Sequence, residues 1–275
     1  MPAILAVDKL ADILASSENF LQRMHELGQE PSAQKELKRL FPPSEAAEMV
    51  GCNRTTLARA EAAIGMDAPP RNPGNNRRIG YTLEQVQAFR EHLGALPWRD
   101  PATDQPIVVA CQNFKGGVGK STTCVNLAHY LALKGYRVLV VDTDSQATTT
   151  SMFGYVPDAE IDEDATILPY LSGYQTTLDY AVRKTYWPNI DLIPACLALY
   201  EAELAIVMHL AAQQDVEKRV QFFMELKYGL QTVADGYDVI LLDSPPALGM
   251  ISINVLMAAD ALLVPSAARM FDFSS

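Results

Sequence analysis

Eight consecutive residues, Lys115-Gly116-Gly117-Val118-Gly119-Lys120-Ser121-Thr122, bring two amines, three glycines and two adjacent hydroxyls into one short run. Glycines let the backbone close around an anion with its N–H groups pointing inward as a nest. Lys120 supplies a point charge suited to β- and γ-phosphates, and Ser121 a hydroxyl suited to Mg²⁺. The spacing is that of a phosphate-binding P-loop, GxxxxGK[ST], except that Phe114 stands at the first glycine and a second lysine, Lys115, follows it. Two further segments are apolar runs that end in acids, RVLVVDTDSQ from Arg137 to Gln146 and GYDVILLDSPPALG from Gly236 to Gly249. A buried strand of this kind delivers carboxylates to the carboxyl edge of a parallel sheet, where such folds bind ligands. Asp142, Asp144 and Asp243 are the acids so placed. Asp243 takes the place of a Walker B carboxylate that serves Mg²⁺.

These groups need a scaffold. The run Ile107 to Ala110 reads as the strand before the loop, and Lys120 to about Lys134 as the helix after it, with Leu127, Ala128 and Leu131 toward the sheet and Gly135 as its end. That helix adds the positive end of its dipole to the phosphate site. From Ile107 onward strand and helix patterns alternate, as in a mostly parallel α/β sheet. Asn189 to Pro194 reads as a further strand and Tyr200 to Ala234 as mostly helix, neither with assigned chemistry. The domain expected over 107–275 is thus a P-loop NTPase of the α/β class.

A second unit precedes it. Residues 1–40 carry Leu10, Ile13, Leu14, Leu21, Met24 and Leu27 at helical spacing, which suits a partner helix for dimerisation or a helix packed on its own domain. Residues 41–94 contain a helix from Pro43 to Val50, a Gly51-Cys52 turn, and a second helix from Arg54 to Ile64 that Asn53 can cap. Two short helices joined through a glycine turn match a helix-turn-helix, whose second helix enters the major groove. Its exposed start offers Arg54, Thr55, Thr56 and Arg59 to phosphates or base edges. A turn-rich loop then presents Arg77 and Arg78, and Thr82 with Gln85 forms a capping box for a helix to Leu93. The same pattern also suits a small helical docking domain with a solvated arginine loop. Residues 95–106, with three prolines, read as a semi-rigid linker.

Composition narrows the function classes. The chain of 275 residues carries 22 Lys+Arg against 33 Asp+Glu, so no global basic field advertises nucleic acid. From Gln34 to Arg90, however, nine basic residues face six acidic ones. Four cysteines lie far apart without a CxxC pair, which favours a reduced, cytoplasmic chain without a thiolate metal site. The N-terminus has no cleavable apolar core, and the longest apolar stretch, Ile251 to Val264, is interrupted by Asp260 and too short for a bilayer.

The form KGGxGK[ST], with its extra lysine, resembles the deviant Walker A loop of the ParA/MinD ATPases. The DxDxQ and DSPP segments resemble the switch I and Walker B segments of the same family, with Ser145 where proline is usual. The resemblance covers roughly 107–275. It implies that Lys115 reaches a nucleotide across a homodimer, that Asp144 positions the attacking water, that Asp243 orients Mg²⁺ through water, and that Asp142 supports Mg²⁺ or the loop. The run RRIGYTLEQVQAFR looks like the wing and following helix of MerR-like proteins. With that winged helix-turn-helix, the chain is similar to the larger ParA and RepA-like partition ATPases. These bind ATP, dimerise, bind operator and non-specific DNA on the nucleoid, answer a ParB-like centromere-binding partner and repress their own operon. MinD-like membrane positioning would need an amphipathic C-terminal helix that this sequence lacks. The competing function is a nucleotide-sensing transcriptional repressor without turnover. Because the family's sheet continues beyond the strand Ala261 to Val264, the 275-residue chain is expected to be marginally soluble, with weak adenine selectivity and little turnover, while 41–94 still folds.

Overall fold

The computed structural model describes residues 36–67, 69–212, 215 and 221–266, together with residue 16. The helix expected over residues 1–40 therefore lies largely outside the described residues. Three helices open the described chain: α1 (Pro43–Val50), α2 (Arg54–Ile64) and α3 (Leu83–His92). The α/β part follows as β1 (Ile107–Cys111), α4 (Lys120–Lys134), β2 (Val138–Asp142) and α5 (Thr148–Met152). Next come α6 (Leu168–Leu171), β3 (Arg183–Lys184), β4 (Ile190–Ile193), α7 (Leu199–Ala212) and α8 (Glu225–Val233). It closes with β5 (Val239–Asp243), α9 (Met250–Ala258) and β6 (Ala261–Leu263).

The sheet has the order β3-β4-β2-β5-β1-β6 and is parallel except where β3 runs against β4. This is the expected α/β class. The apolar runs VLVVD and VILLD bury every residue, as strands covered on both faces must. Alternate residues serve opposite layers. Val138, Val140, Leu192 and Leu241 pack toward α4, whereas Leu139, Val141, Ile193, Ile240 and Leu242 pack toward α7, α8 and α9. The inward face of α4 is Cys124, Val125, Ala128 and Ala132, with Leu127 and Leu131 only partly buried. Small residues let the helix lie close on the sheet, so the leucines fall to its flanks.

Local chemistry sets the N-terminal helices. The Asn53 side chain accepts the Thr56 N–H at 2.8 Å, and Gly51 takes the left-handed turn conformation at φ 80°. The Thr82–Gln85 capping box forms in both directions. Antiparallel bridges at Phe41–Tyr81 and Arg71–Arg78 make the small wing.

This unit shares one apolar cluster with the α4 face of the sheet. Arg90, 1% exposed, fastens it. Its guanidinium donates to Met49 O (2.8 Å) in the last turn of α1 and to Leu133 O (2.7 Å) in the last turn of α4. Gln87 and Trp98 both donate to Gly135 O at 3.0 Å. Residues 95–106, expected as a spacer, are bonded along their path. Arg99 donates to Tyr237 O at 2.7 Å, its N–H meets the Asp238 carboxylate at 3.0 Å, and Arg137 lies over the Trp98 ring. The segment turns at Pro101 to Thr103, and Arg99 and Trp98 tie it down.

Candidate functional site

β1, β5 and β2 lie side by side, and their registers place Cys111, Asp243 and Asp142 in one row at the carboxyl edge. The glycine loop leaves β1 at this row and enters α4. Gly117 (φ 72°) and Gly119 (φ 88°) hold left-handed conformations that disfavour any side chain. A Cβ added at Gly116, Gly117 or Gly119 would meet no protein atom within 4 Å, so these glycines are not there for packing. The loop presents its backbone to open space, as a phosphate cradle requires. Lys120 is buried at the first position of α4, its Nζ donating to Lys115 O at 3.4 Å. Lys115 is exposed, with its N–H on Asn113 Oδ1 at 2.9 Å.

The carboxylates divide by their partners. Asp142 is committed: Oδ2 accepts from Thr150 N (2.8 Å) and Thr150 Oγ1 (2.7 Å), and Oδ1 from Asp144 N (3.2 Å). Desolvation, then the charge of Asp243, pushes its pKa up to about 8, against the pull of the Thr150 bonds. Asp243 accepts Thr149 Oγ1 at Oδ2 (2.7 Å), while its Oδ1 is buried without a partner among the described residues. Burial raises its pKa, and the Ser121 and Thr149 hydroxyls beside it oppose that rise. A buried carboxylate oxygen without a partner among the described residues suits a cation. Asp144 is 9% exposed; Oδ1 accepts Gln146 N at 3.0 Å, and the residue lines a cavity of about 570 Å³ with Glu203, Pro245 and Gly249. None of the glycine-loop residues lines that cavity.

The structure therefore brings Lys120, Ser121, Asp142, Asp144 and Asp243 to one edge. Thr149 and Thr150, which orient the two strand-end acids, had no sequence signal beyond a run of threonines. Glu203 lay in a helix without assigned chemistry. Among the described residues, no group of three or more His, Cys, Asp or Glu side chains could hold a metal by itself. No described helix is long and apolar enough to cross a membrane.

In the N-terminal unit Arg54, Thr55 and Arg59 are exposed on α2, and Thr56 is half-buried. Arg77 is exposed on the wing. Arg78 differs from its neighbour: it turns inward to Glu61 and to Tyr81 Oη (3.1 Å), and Tyr81 Oη also donates to Glu61 at 2.8 Å. Glu61 is only 6% exposed, so a buried carboxylate has drawn the guanidinium in and tied the wing to α2.

A family model described as an AAA domain matches residues 107–274. Protein SopA of Escherichia coli (strain K12) is 37% identical over 248 residues, covering 89% of this chain and 63% of SopA. This chain thus spans less than two thirds of that relative. A plasmid partition protein from Borrelia burgdorferi superposes with a TM-score of 0.51 at 28% identity, over 62% of this chain and 70% of that one. Cobyrinic acid a,c-diamide synthase from Mycobacterium smegmatis, solved with ADP and magnesium, gives 0.51 at 32% identity over 58% and 59%. The glycine-lysine loop, the paired strand-end acids and these likenesses agree: the chain belongs to the ParA-type partition ATPases.

Proposed function

We propose that the chain is a DNA-segregation ATPase that binds and hydrolyses ATP with Mg²⁺, and that nucleotide switches its dimerisation and DNA binding. The observation that carries this reading is the bare, buried Oδ1 of Asp243 next to the Ser121 hydroxyl and beneath an open glycine cradle. That donor set fits a hard cation with oxygen ligands. Bound there by Asp243 and Ser121, Mg²⁺ would supply positive charge to offset that of the phosphates.

The remaining work falls to the chain. The N–H groups from Lys115 to Thr122 and the Lys120 ammonium hold the phosphates. Asp243 and Ser121 hold the cation side. Asp142, with its oxygens taken by Thr150 and Asp144, acts by keeping the Asp144 loop in place. Asp144 positions water, and Lys115 stabilises transferred charge across a homodimer. Residues 41–94 read an operator through Arg54, Thr55, Thr56 and Arg59, with Arg77 on the backbone or minor groove, and so repress the chain's own operon. Arg78 serves that surface by holding the wing. Non-specific DNA and a ParB-like centromere-binding protein are the further partners, in the cytoplasm on the nucleoid.

The test is phosphate release from Mg-ATP with and without duplex DNA. Asp144→Ala should bind ATP and dimerise without turnover, and Lys115→Ala should bind ATP but dimerise poorly. Normal turnover in both variants contradicts the reading. A wild-type chain that binds operator in response to ATP without hydrolysing it would instead be a nucleotide-sensing repressor.

A further inference from the structure

The segment from Asp243 to Gly249 links the cation-side carboxylate to α9, and it is pinned at both ends. At the near end Ser244 Oγ donates to Cys111 O at 2.8 Å. At the far end α9 has no cap of its own, because its N-cap is Gly249. Its first N–H groups are met from another helix. Glu203, on α7, accepts Met250 N at 2.7 Å through Oε2 and Ile251 N at 3.0 Å through Oε1. A carboxylate on two amides at a helix N-terminus is a charge-assisted, dipole-matched contact. Gly249 itself has φ −120°, which any residue adopts, so the backbone conformation does not demand glycine. Space favours it: a Cβ there would clash with Oε1 and lie 2.7 Å from Cδ and Oε2 of Glu203, so the carboxylate would have to withdraw.

We propose that Glu203 is a positioning residue for the Asp243 segment, holding its far end through α9, with Gly249 required to admit the carboxylate. Pro245 and Pro246 stiffen the span between the two pins, so a shift at α9 is carried back toward Asp243. Glu203 also lines the same cavity as Asp144. α7 is thereby tied through α9 to the segment that carries Asp243. The consequence for turnover rests on the ATPase reading above; the cap itself does not.

The experiment compares the full chain with Glu203→Ala, Glu203→Gln, Gly249→Ala and the Glu203→Ala/Gly249→Ala double variant. Amide exchange of Met250 and Ile251, read by NMR or mass spectrometry without nucleotide, should quicken about ten-fold in Glu203→Ala and in Gly249→Ala. The glutamine variant, which keeps one acceptor, should lie between. Turnover should drop about ten-fold, with a smaller loss of ATP affinity through the shifted Asp243. In the double variant the methyl no longer meets a carboxylate, so it should add nothing to the loss from Glu203→Ala alone. Unchanged exchange in Glu203→Ala, or full additivity in the double variant, overturns the assignment. So does an equal loss of affinity and turnover, which marks general destabilisation. If the wild-type chain hydrolyses no ATP, the ATPase reading fails while the exchange data still decide the cap.

Discussion

Replacing Arg90 by alanine removes the cation that closes the ends of two helices at once. Met49 O and Leu133 O are last-turn carbonyls without intrahelical donors, and Arg90 meets them at 2.8 and 2.7 Å. Gln87 Oε1 accepts from its remaining arm at 3.1 Å. Burial draws the guanidinium pKa down. A hydrogen bond from a charged group contributes about 1.5–3 kcal/mol, and stranding two buried carbonyls adds to the loss, so the alanine variant should lose about 3–5 kcal/mol. With a urea dependence of about 2–3 kcal/mol per molar, the midpoint should fall by about 1–2.5 M. The two tryptophans make the assay specific: Trp98 donates to Gly135 O at this junction, whereas Trp187 lies in the sheet-side core. Single-tryptophan forms should unfold together in the parent because the units share a core, and the Trp98 signal should move first in the variant. Arg90→Met separates packing from polarity by keeping the stem. If Arg90→Met matches the parent, or the alanine variant shifts by less than about 0.3 M, the junction rests on apolar packing and the reasoning fails.

Two further outcomes follow from the same geometry. His129 stacks on Trp187 at 4.3 Å with Nε2 buried and unpartnered among the described residues, and desolvation lowers its pKa below 6.5. The unfolded chain then binds the proton more readily, so stability is lost as pH falls below 6.5, by at most about 1.4 kcal/mol per pH unit; His129→Phe should flatten that limb, and an identical acid profile for both proteins would contradict the assignment. On the DNA side, Arg77→Ala should weaken binding to all sequences alike and reduce the salt slope by about one, measured by titration at several salt concentrations. Arg78→Ala should instead lower stability by about 1–3 kcal/mol through the stranded Glu61, and an unchanged melt with a reduced salt slope would place Arg78 on DNA.

Much of the site was legible because its determinants are local. The glycine-lysine loop needs only neighbours in sequence, and five-residue apolar strands ending in aspartate announce both their burial and their acids. The caps at Asn53 and Thr82 are equally short-range. What stayed hidden depends on distance along the chain. Arg90 meets Leu133 43 residues away, and Glu203 meets Met250 and Ile251 across 47 and 48 residues. No spacing rule carries such pairs. Arg77 and Arg78 show the same limit at close range, for only the fold reveals that one faces solvent and the other Glu61.

The central claim is that the glycine loop and the bare Asp243 oxygen together form a Mg-ATP site. Calorimetric titration of the full chain with ATP, with and without Mg²⁺, tests it most directly. Mg²⁺ should enhance binding, Lys120→Ala should weaken it at least about ten-fold, and Asp243→Asn should remove the Mg²⁺ enhancement. ATP affinity unchanged in Lys120→Ala and indifferent to Mg²⁺ would contradict it.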